Sequence, residues 1–169
     1  MRMALKVSDV ARLAGVTVRA LHHYDEIGLV RPSARSAAGY RLYAPEDEEE
    51  AKEKWGGSEA YRESARRTRK YKKEDWAKIR ADGDGIFQEL TRLLNEHRPP
   101  TSTEAMELAE CHRKHIERWF YQCPPAMHAG LGELYVSDER FRESLDRYGP
   151  GLAEYARAAW RANAERKRT

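Results

Sequence analysis

Apolar positions along the chain recur at helical steps, and no long run alternates strictly, which argues against a strand-rich fold. The first 44 residues carry short apolar groups broken by turn residues. Ser8 is placed to cap a short helix reaching about Ala14, with Val10, Ala11 and Leu13 facing inward. Gly15 supplies a left-handed end, and Thr17 caps a second helix from Val18 to about Ile27, closed by Gly28. Two short helices joined by a glycine-containing turn have the spacing of a helix-turn-helix. After Leu29-Val30-Arg31-Pro32, the stretch Ala37-Ala38-Gly39-Tyr40-Arg41-Leu42-Tyr43 alternates around a glycine turn and predicts a small two-stranded wing.

Beyond residue 44 nearly every segment reads as helix, roughly five in all. One covers about Ser58 to Tyr71. The next covers about Glu74 to His97, with Trp76, Ile79, Ile86, Phe87, Leu90, Leu93 and Leu94 on one stripe. Pro99-Pro100 interrupts the chain, and Thr101 with Glu104 forms a capping box for a helix reaching about Tyr121. Pro124-Pro125 interrupts it again, and Ala126 to Tyr135 gives a short helix. Ser137 caps a segment to Tyr148, and Pro150 stands where the first turn of a last helix belongs. The expected fold is mainly α: a small winged helix-turn-helix at 1–44, a short acidic linker at 45–54, and an all-helical unit of about five helices at 55–165.

Composition narrows the function. The chain has 169 residues, 35% charged and 40% hydrophobic, with a mean hydropathy of −0.90, enough for one ordinary domain or two small ones. No run approaches the roughly 18 apolar residues of a membrane span. The start, MRMALKVSDVARLAG, lacks the apolar block of a secretory signal, so a cytoplasmic protein is expected. Cys111 and Cys123 are too few for a disulfide framework and are expected as thiols. The net charge of +3 identifies no partner, but residues 1–44 hold seven bases against three acids, and Pro45 to Glu50 holds five acids. Two further basic runs, Arg66 to Lys73 and Arg166-Lys167-Arg168, read as solvated faces.

Within the second short helix, Leu21 joins Val18 on the apolar face, while Arg19, His22 and His23 project donors suited to phosphates and base edges. Tyr24 is placed to donate its hydroxyl to a phosphate. Cys111, His112 and His115 share one helix, but zinc needs four converging ligands and no second cluster supplies them. His112 falls on the stripe of Leu108, Ala109, Ile116 and Trp119, so a packed or pocket-lining role is expected. Asp82-Gly83-Asp84-Gly85 has the look of a calcium loop, yet the twelfth position is Leu93 and the flanks are helical, so it reads as a weak spot in a helix. No nucleophile elbow, phosphate loop or paired-carboxylate arrangement occurs. No catalytic residue, cofactor or metal is expected.

The run from Val7 to Leu29, VSDVARLAGVTVRALHHYDEIGL, with Gly39-Tyr40-Arg41-Leu42-Tyr43, closely resembles the MerR family of bacterial regulators. The resemblance implies a winged helix whose second helix enters the major groove, with Arg19, Tyr24, Tyr40 and Arg41 on DNA. Arg12, Thr17, His22 and His23 complete the candidate DNA-binding set. It also implies dimers that distort an over-long promoter spacer and so act on RNA polymerase indirectly. Here only about Ala44 to Lys54 follows the wing, with no heptad seam, so a homodimer built on the family's long helix is not expected.

Trp55-Gly56-Gly57-Ser58-Glu59-Ala60-Tyr61, Tyr71 to Trp76, Tyr121-Gln122-Cys123, Met127-His128 and Leu131 to Phe141 resemble the TipAS antibiotic-recognition domain over about residues 50–165. The resemblance implies a cleft between helices for thiopeptides or other bulky, ring-rich hydrophobic compounds, with parts of the domain mobile until ligand arrives. The candidate ligand-binding residues are Trp119, Tyr121, Cys123, Met127, His128, Leu131 and Phe141, several of which straddle the Pro124-Pro125 break. The family's covalent capture uses a cysteine three positions after the methionine matching Met127. That position is Gly130 here, so reversible binding is expected.

Overall fold

The computed structural model describes residues 5–13, 17–26, 34–39, 41–43 and 58–168. The chain divides into two compact units, Met1–Tyr71 and Lys72–Thr169.

In the first unit, β1 (Leu5–Lys6) runs into α1 (Val7–Leu13), followed by α2 (Val18–Glu26), β2 (Ala34–Arg35), β3 (Arg41–Tyr43) and α3 (Glu59–Thr68). Val10, Ala11, Ala20 and Leu21 are all buried, and they make the apolar seam of the two short helices. The Oγ1 of Thr17 accepts the backbone N–H of Ala20 at 3.1 Å and caps α2 as its sequence requires. Ser8 does not cap: α1 begins one residue earlier, at Val7, straight off the strand. The wing is three-stranded rather than two-stranded. The antiparallel order is β1-β3-β2, with Leu5 opposite Tyr43 and Arg35 opposite Arg41, so β1 covers an edge that a lone hairpin would leave open. Gly39, at φ 81°, closes the turn with its N–H on the Ser36 carbonyl at 2.8 Å. Gly15, Gly28, the stretch 29–32 and Tyr40 lie outside the described residues. Ser58 caps α3 by accepting the N–H of Tyr61 at 3.1 Å.

The second unit is five helices: α4 (Lys73–Asn95), α5 (Thr103–Trp119), α6 (Pro125–Ser137), α7 (Glu139–Asp146) and α8 (Leu152–Arg166). Their core gathers Leu90, Leu93, Ala105, Ala109, Leu145, Leu152, Ala156, Ala159 and Trp160. The small residues let helices approach closely. At Gly132 an added Cβ would stand 3.1 Å from Cα of Arg157 and 3.2 Å from Cε3 of Trp160, so a side chain there would press α6 and α8 apart by a few tenths of an ångström. The helix α4 runs unbroken through Gly83 and Gly85, each costing about 1 kcal/mol against alanine. Burial of Trp76, Ile79, Leu90 and Leu93 along the same stripe offsets that cost. Asp84 accepts the hydroxyl of Tyr148, and Asp82 pairs with Lys78 at 3.4 Å.

Three helix starts in this second unit differ from the sequence reading. The cap of α5 is Ser102, whose hydroxyl accepts the N–H of Ala105 at 3.2 Å, not Thr101. The cap of α7 is Asp138, accepting the N–H of Arg140 at 3.0 Å, because α6 extends through Ser137. Pro150 stands outside α8, whose N-cap is Gly151.

Candidate functional site

Two sets of residues carry the candidate chemistry, one in each unit. In the first, Arg12 is exposed in the last turn of α1 and Arg19 is exposed on α2. The hydroxyl of Thr17 is engaged in capping α2. His22 is half-buried rather than fully outward. His23 and Tyr24 belong to α2 and Arg41 to β3, but their side chains, like all of Tyr40, lie outside the described residues.

In the second unit every helix contributes a ring to one aromatic cluster. His112 of α5 stacks flat on Trp160 of α8, with centroids 4.5 Å apart and planes at 12°. His128 of α6 lies 4.7 Å from the same indole. Phe87 of α4 approaches His112 at 5.3 Å, Tyr135 of α6 meets Trp160 edge-on at 4.9 Å, and Phe141 of α7 meets Tyr135 at 5.4 Å. Nδ1 of His112 and Nε2 of His128 are hydrogen-bonded at 2.8 Å. A proton between two imidazoles lets only one donate. Nδ1 of His128 is buried with no partner among the described residues.

Burial sets the electrostatics of this cluster. It drives the pKa of His128 down to about 3 and that of His112 well below its ordinary value, so both rings are neutral. It also pushes the Tyr135 phenol up, holding it protonated. The cluster is therefore an uncharged aromatic wall.

A charged network braces it from one side. Arg113 holds Glu110 through two hydrogen bonds of 3.0 and 2.7 Å, and reaches Glu117 and the Cys123 carbonyl at 2.8 Å each. Buried Asn163 of α8 donates to Glu110 at 2.9 Å. The Arg113 guanidinium holds the Glu110 carboxyl at a pKa of about 2 against the opposing effect of burial. Arg113 thus ties the segment after α5 to the centre of that helix, and Glu110 ties α5 to α8.

Of the predicted ligand residues, Cys123, His128 and Phe141 are buried in this interior. Trp119, Tyr121 and Leu131 are half-buried and Met127 is exposed, forming the more open set. Met127 and Leu131, four apart on α6, share a face. Arg118 lies over the Trp119 ring at 5.0 Å. Burial pushes the Cys123 thiol up to about 12, so it is no nucleophile at neutral pH. The sequence reading missed the pairing of His112 with His128 and the Glu110–Arg113–Asn163 network. Their only sequence signal was His112 on an apolar stripe.

The model of the TipAS antibiotic-recognition domain matches residues 48–163, and that of the MerR family regulatory protein matches 6–43. The transcriptional activator TipA of Streptomyces coelicolor is 33% identical over 250 positions, covering 97% of this chain and 99% of the relative. The transcriptional activator mta of Bacillus subtilis is 26% identical, covering 93% and 95%. Among solved structures, TipAS of Streptomyces lividans in complex with nosiheptide, described as part of a thiopeptide antibiotic multidrug resistance system, is 38% identical with a TM-score of 0.72 over 91% of this chain and 98% of that one. The antibiotic binding domain of a TipA-class multidrug resistance transcriptional regulator is 43% identical with a TM-score of 0.50 over 54% and 97%. In the alignment with TipA, 97% of 169 residues is about 164, so about 86 of the 250 positions have no counterpart here. Head and effector matches at both ends, on a helical fold shared with the nosiheptide-bound relative, place this chain among the MerR-type transcriptional regulators that carry a TipAS antibiotic-recognition domain.

Proposed function

We propose that the chain is a cytoplasmic, non-enzymatic regulator that reads duplex DNA through residues 1–44 and takes a bulky, ring-rich antibiotic of thiopeptide type into residues 55–165, with 45–54 as the joint. The observation that carries this reading is the similarity along 97% of the chain to a transcriptional activator, together with the fold of a nosiheptide-bound relative. On the DNA side, exposed Arg12 and Arg19 act with His22, His23, Tyr24, Tyr40 and Arg41. On the drug side, Trp119, Tyr121, Met127 and Leu131 meet the ligand's rings, and Cys123, His128 and Phe141 support them from beneath. Capture is non-covalent, because Gly130 replaces the family's cysteine and Cys123 is a buried, protonated thiol. Ligand binding stabilises one arrangement of the helices and biases DNA binding only by its differential affinity for the two states.

A second reading has its own support. Only 44–47 separates the two family matches, and about 86 positions of the relative are missing, so the joint is short for a lever and a homodimer lacks the family's long helix. On that reading the chain sequesters drug and its DNA module is vestigial. Calorimetry with nosiheptide, beside duplex-binding measurements on the same preparation, separates the two. Drug binding together with a sequence-selective duplex supports the regulator, and drug binding without any sequence preference supports sequestration.

A further inference from the structure

The basic run that begins at Arg66 is only partly a solvated face. In α3, Ser64, Ala65 and Thr68 are buried on one side of the helix. On the opposite side Arg62 and Arg66 stand four residues apart, and Lys70 follows in the closing turn, where its N–H reaches the Arg67 carbonyl at 3.3 Å. All three are exposed, and none makes an ion pair among the described residues. The neighbouring acid that could neutralise them, Glu63, is occupied by Arg67 in an i,i+4 pair. Glu59 stands three residues before Arg62, in the first turn where the helix dipole favours an anion, and makes no ion pair with it among the described residues. Side chains four apart on a helix are about 6 Å apart along its axis, so the three cations form a ridge about 12 Å long.

This ridge lies in the compact unit Met1–Tyr71, which also contains the helix-turn-helix, although α3 falls within the span matched by the antibiotic-recognition domain. We infer that Arg62, Arg66 and Lys70 are a second DNA contact, binding the phosphate backbone of a duplex whose bases are read elsewhere in the same unit. A row of exposed cations with no ion pair among the described residues supplies the charge that contacts to successive phosphates use. In a chain that lacks about 86 positions of its full-length relative, such contacts enlarge the footprint of a single copy. The inference rests on the DNA-binding reading, and the test separates the two.

The test uses the full chain and two probes: a pool of random 40-base-pair duplexes, and the duplex that the unmodified chain enriches from it. Affinity is measured by fluorescence anisotropy from 50 to 300 mM KCl for the unmodified chain, for R62Q/R66Q/K70Q, for the charge-preserving R62K/R66K/K70R, and for Arg19→Ala. The ridge predicts that the glutamine variant loses about tenfold or more on both probes equally, and that its log–log salt slope shrinks by about 2 to 3. The charge-preserving variant keeps the slope. A glutamine variant with unchanged slope, folded by circular dichroism and thermal melting, overturns the inference and leaves the ridge to the helix dipole or to an acidic protein surface. If Arg19→Ala leaves the preference between probes intact, or the unmodified chain binds neither probe, the DNA-binding reading itself fails.

Discussion

Nδ1 of His112 and Nε2 of His128 share one hydrogen bond across 2.8 Å, and both rings rest on the indole of Trp160. Sixteen residues separate the two histidines in sequence, and they meet because α5 and α6 both pack on α8. The relationship puts two titratable groups against a core cluster of leucine, alanine, tyrosine and tryptophan.

That placement makes stability fall on mild acidification. Both histidines are neutral when folded, with depressed pKa values, and bind protons near pH 6.5 once unfolded. Their contribution is therefore full above about pH 6.5 and is lost as the pH falls from there toward about 3. Each such group costs about 1.4 kcal/mol per pH unit below 6.5. Urea unfolding followed by the near-ultraviolet tryptophan signal is expected to lose roughly 2–3 kcal/mol between pH 7.5 and 5.5. A flat profile over that range would contradict a neutral buried pair.

Removing Arg113 is expected to destabilise the helical unit by roughly 2–3 kcal/mol, since Arg113→Ala leaves Glu110 with less of its charge compensated and the Cys123 carbonyl without its donor. The Glu110 pKa of about 2 lies below the ordinary carboxylate range, so its contribution is present at neutral pH and is lost as the pH falls through that value. The Arg113→Ala variant should accordingly show a weaker dependence of stability on pH below 4.5.

The two thiols should differ sharply in reactivity. Cys111 is exposed, whereas Cys123 is buried with its thiol pushed up to about 12. Ellman's reagent at pH 7.5 is expected to modify one thiol quickly and the second only on unfolding. Intact-mass spectra after incubation with nosiheptide should show no adduct. At Gly130 an added Cβ meets nothing within 4 Å, so Gly130→Cys should fold normally and serve as the covalent-capture control.

Gly132→Ala is expected to lower stability by about 1–3 kcal/mol, because the new methyl would press on the Arg157 backbone and the Trp160 ring. Gly130→Ala, two residues away on the same helix, should be neutral or slightly stabilising. Equal melting temperatures for the two variants would contradict the close approach of α6 to α8.

Much of this architecture was legible in the sequence, and what was missed has a common cause. The stripe of Trp76, Ile79, Leu90 and Leu93 has helical periodicity, so α4 was readable despite its two glycines, and Thr17 was readable as the cap of α2. Adjacent cap-competent residues were not resolved: Thr101 and Ser102 can both cap, and Ser102 does so because its hydroxyl meets the N–H of Ala105. The third strand of the wing was missed because Leu5-Lys6 is too short to carry a period. The histidine pair and the Glu110–Asn163 bond join residues 16 and 53 positions apart, and no local pattern encodes which helix faces meet. The candidate ligand set rests on the family resemblance and the Pro124-Pro125 break, and neither separates buried Cys123, His128 and Phe141 from more open Tyr121, Met127 and Leu131.

The central claim is that drug and DNA communicate through this one chain. Its most direct test is the affinity of the full chain for its enriched duplex, measured with and without saturating nosiheptide at fixed salt. Coupling of about 1–3 kcal/mol would change that affinity by at least about fivefold, with a reciprocal change in drug affinity when duplex is added. Nosiheptide that binds while the duplex affinity stays the same in its presence and absence would contradict the account.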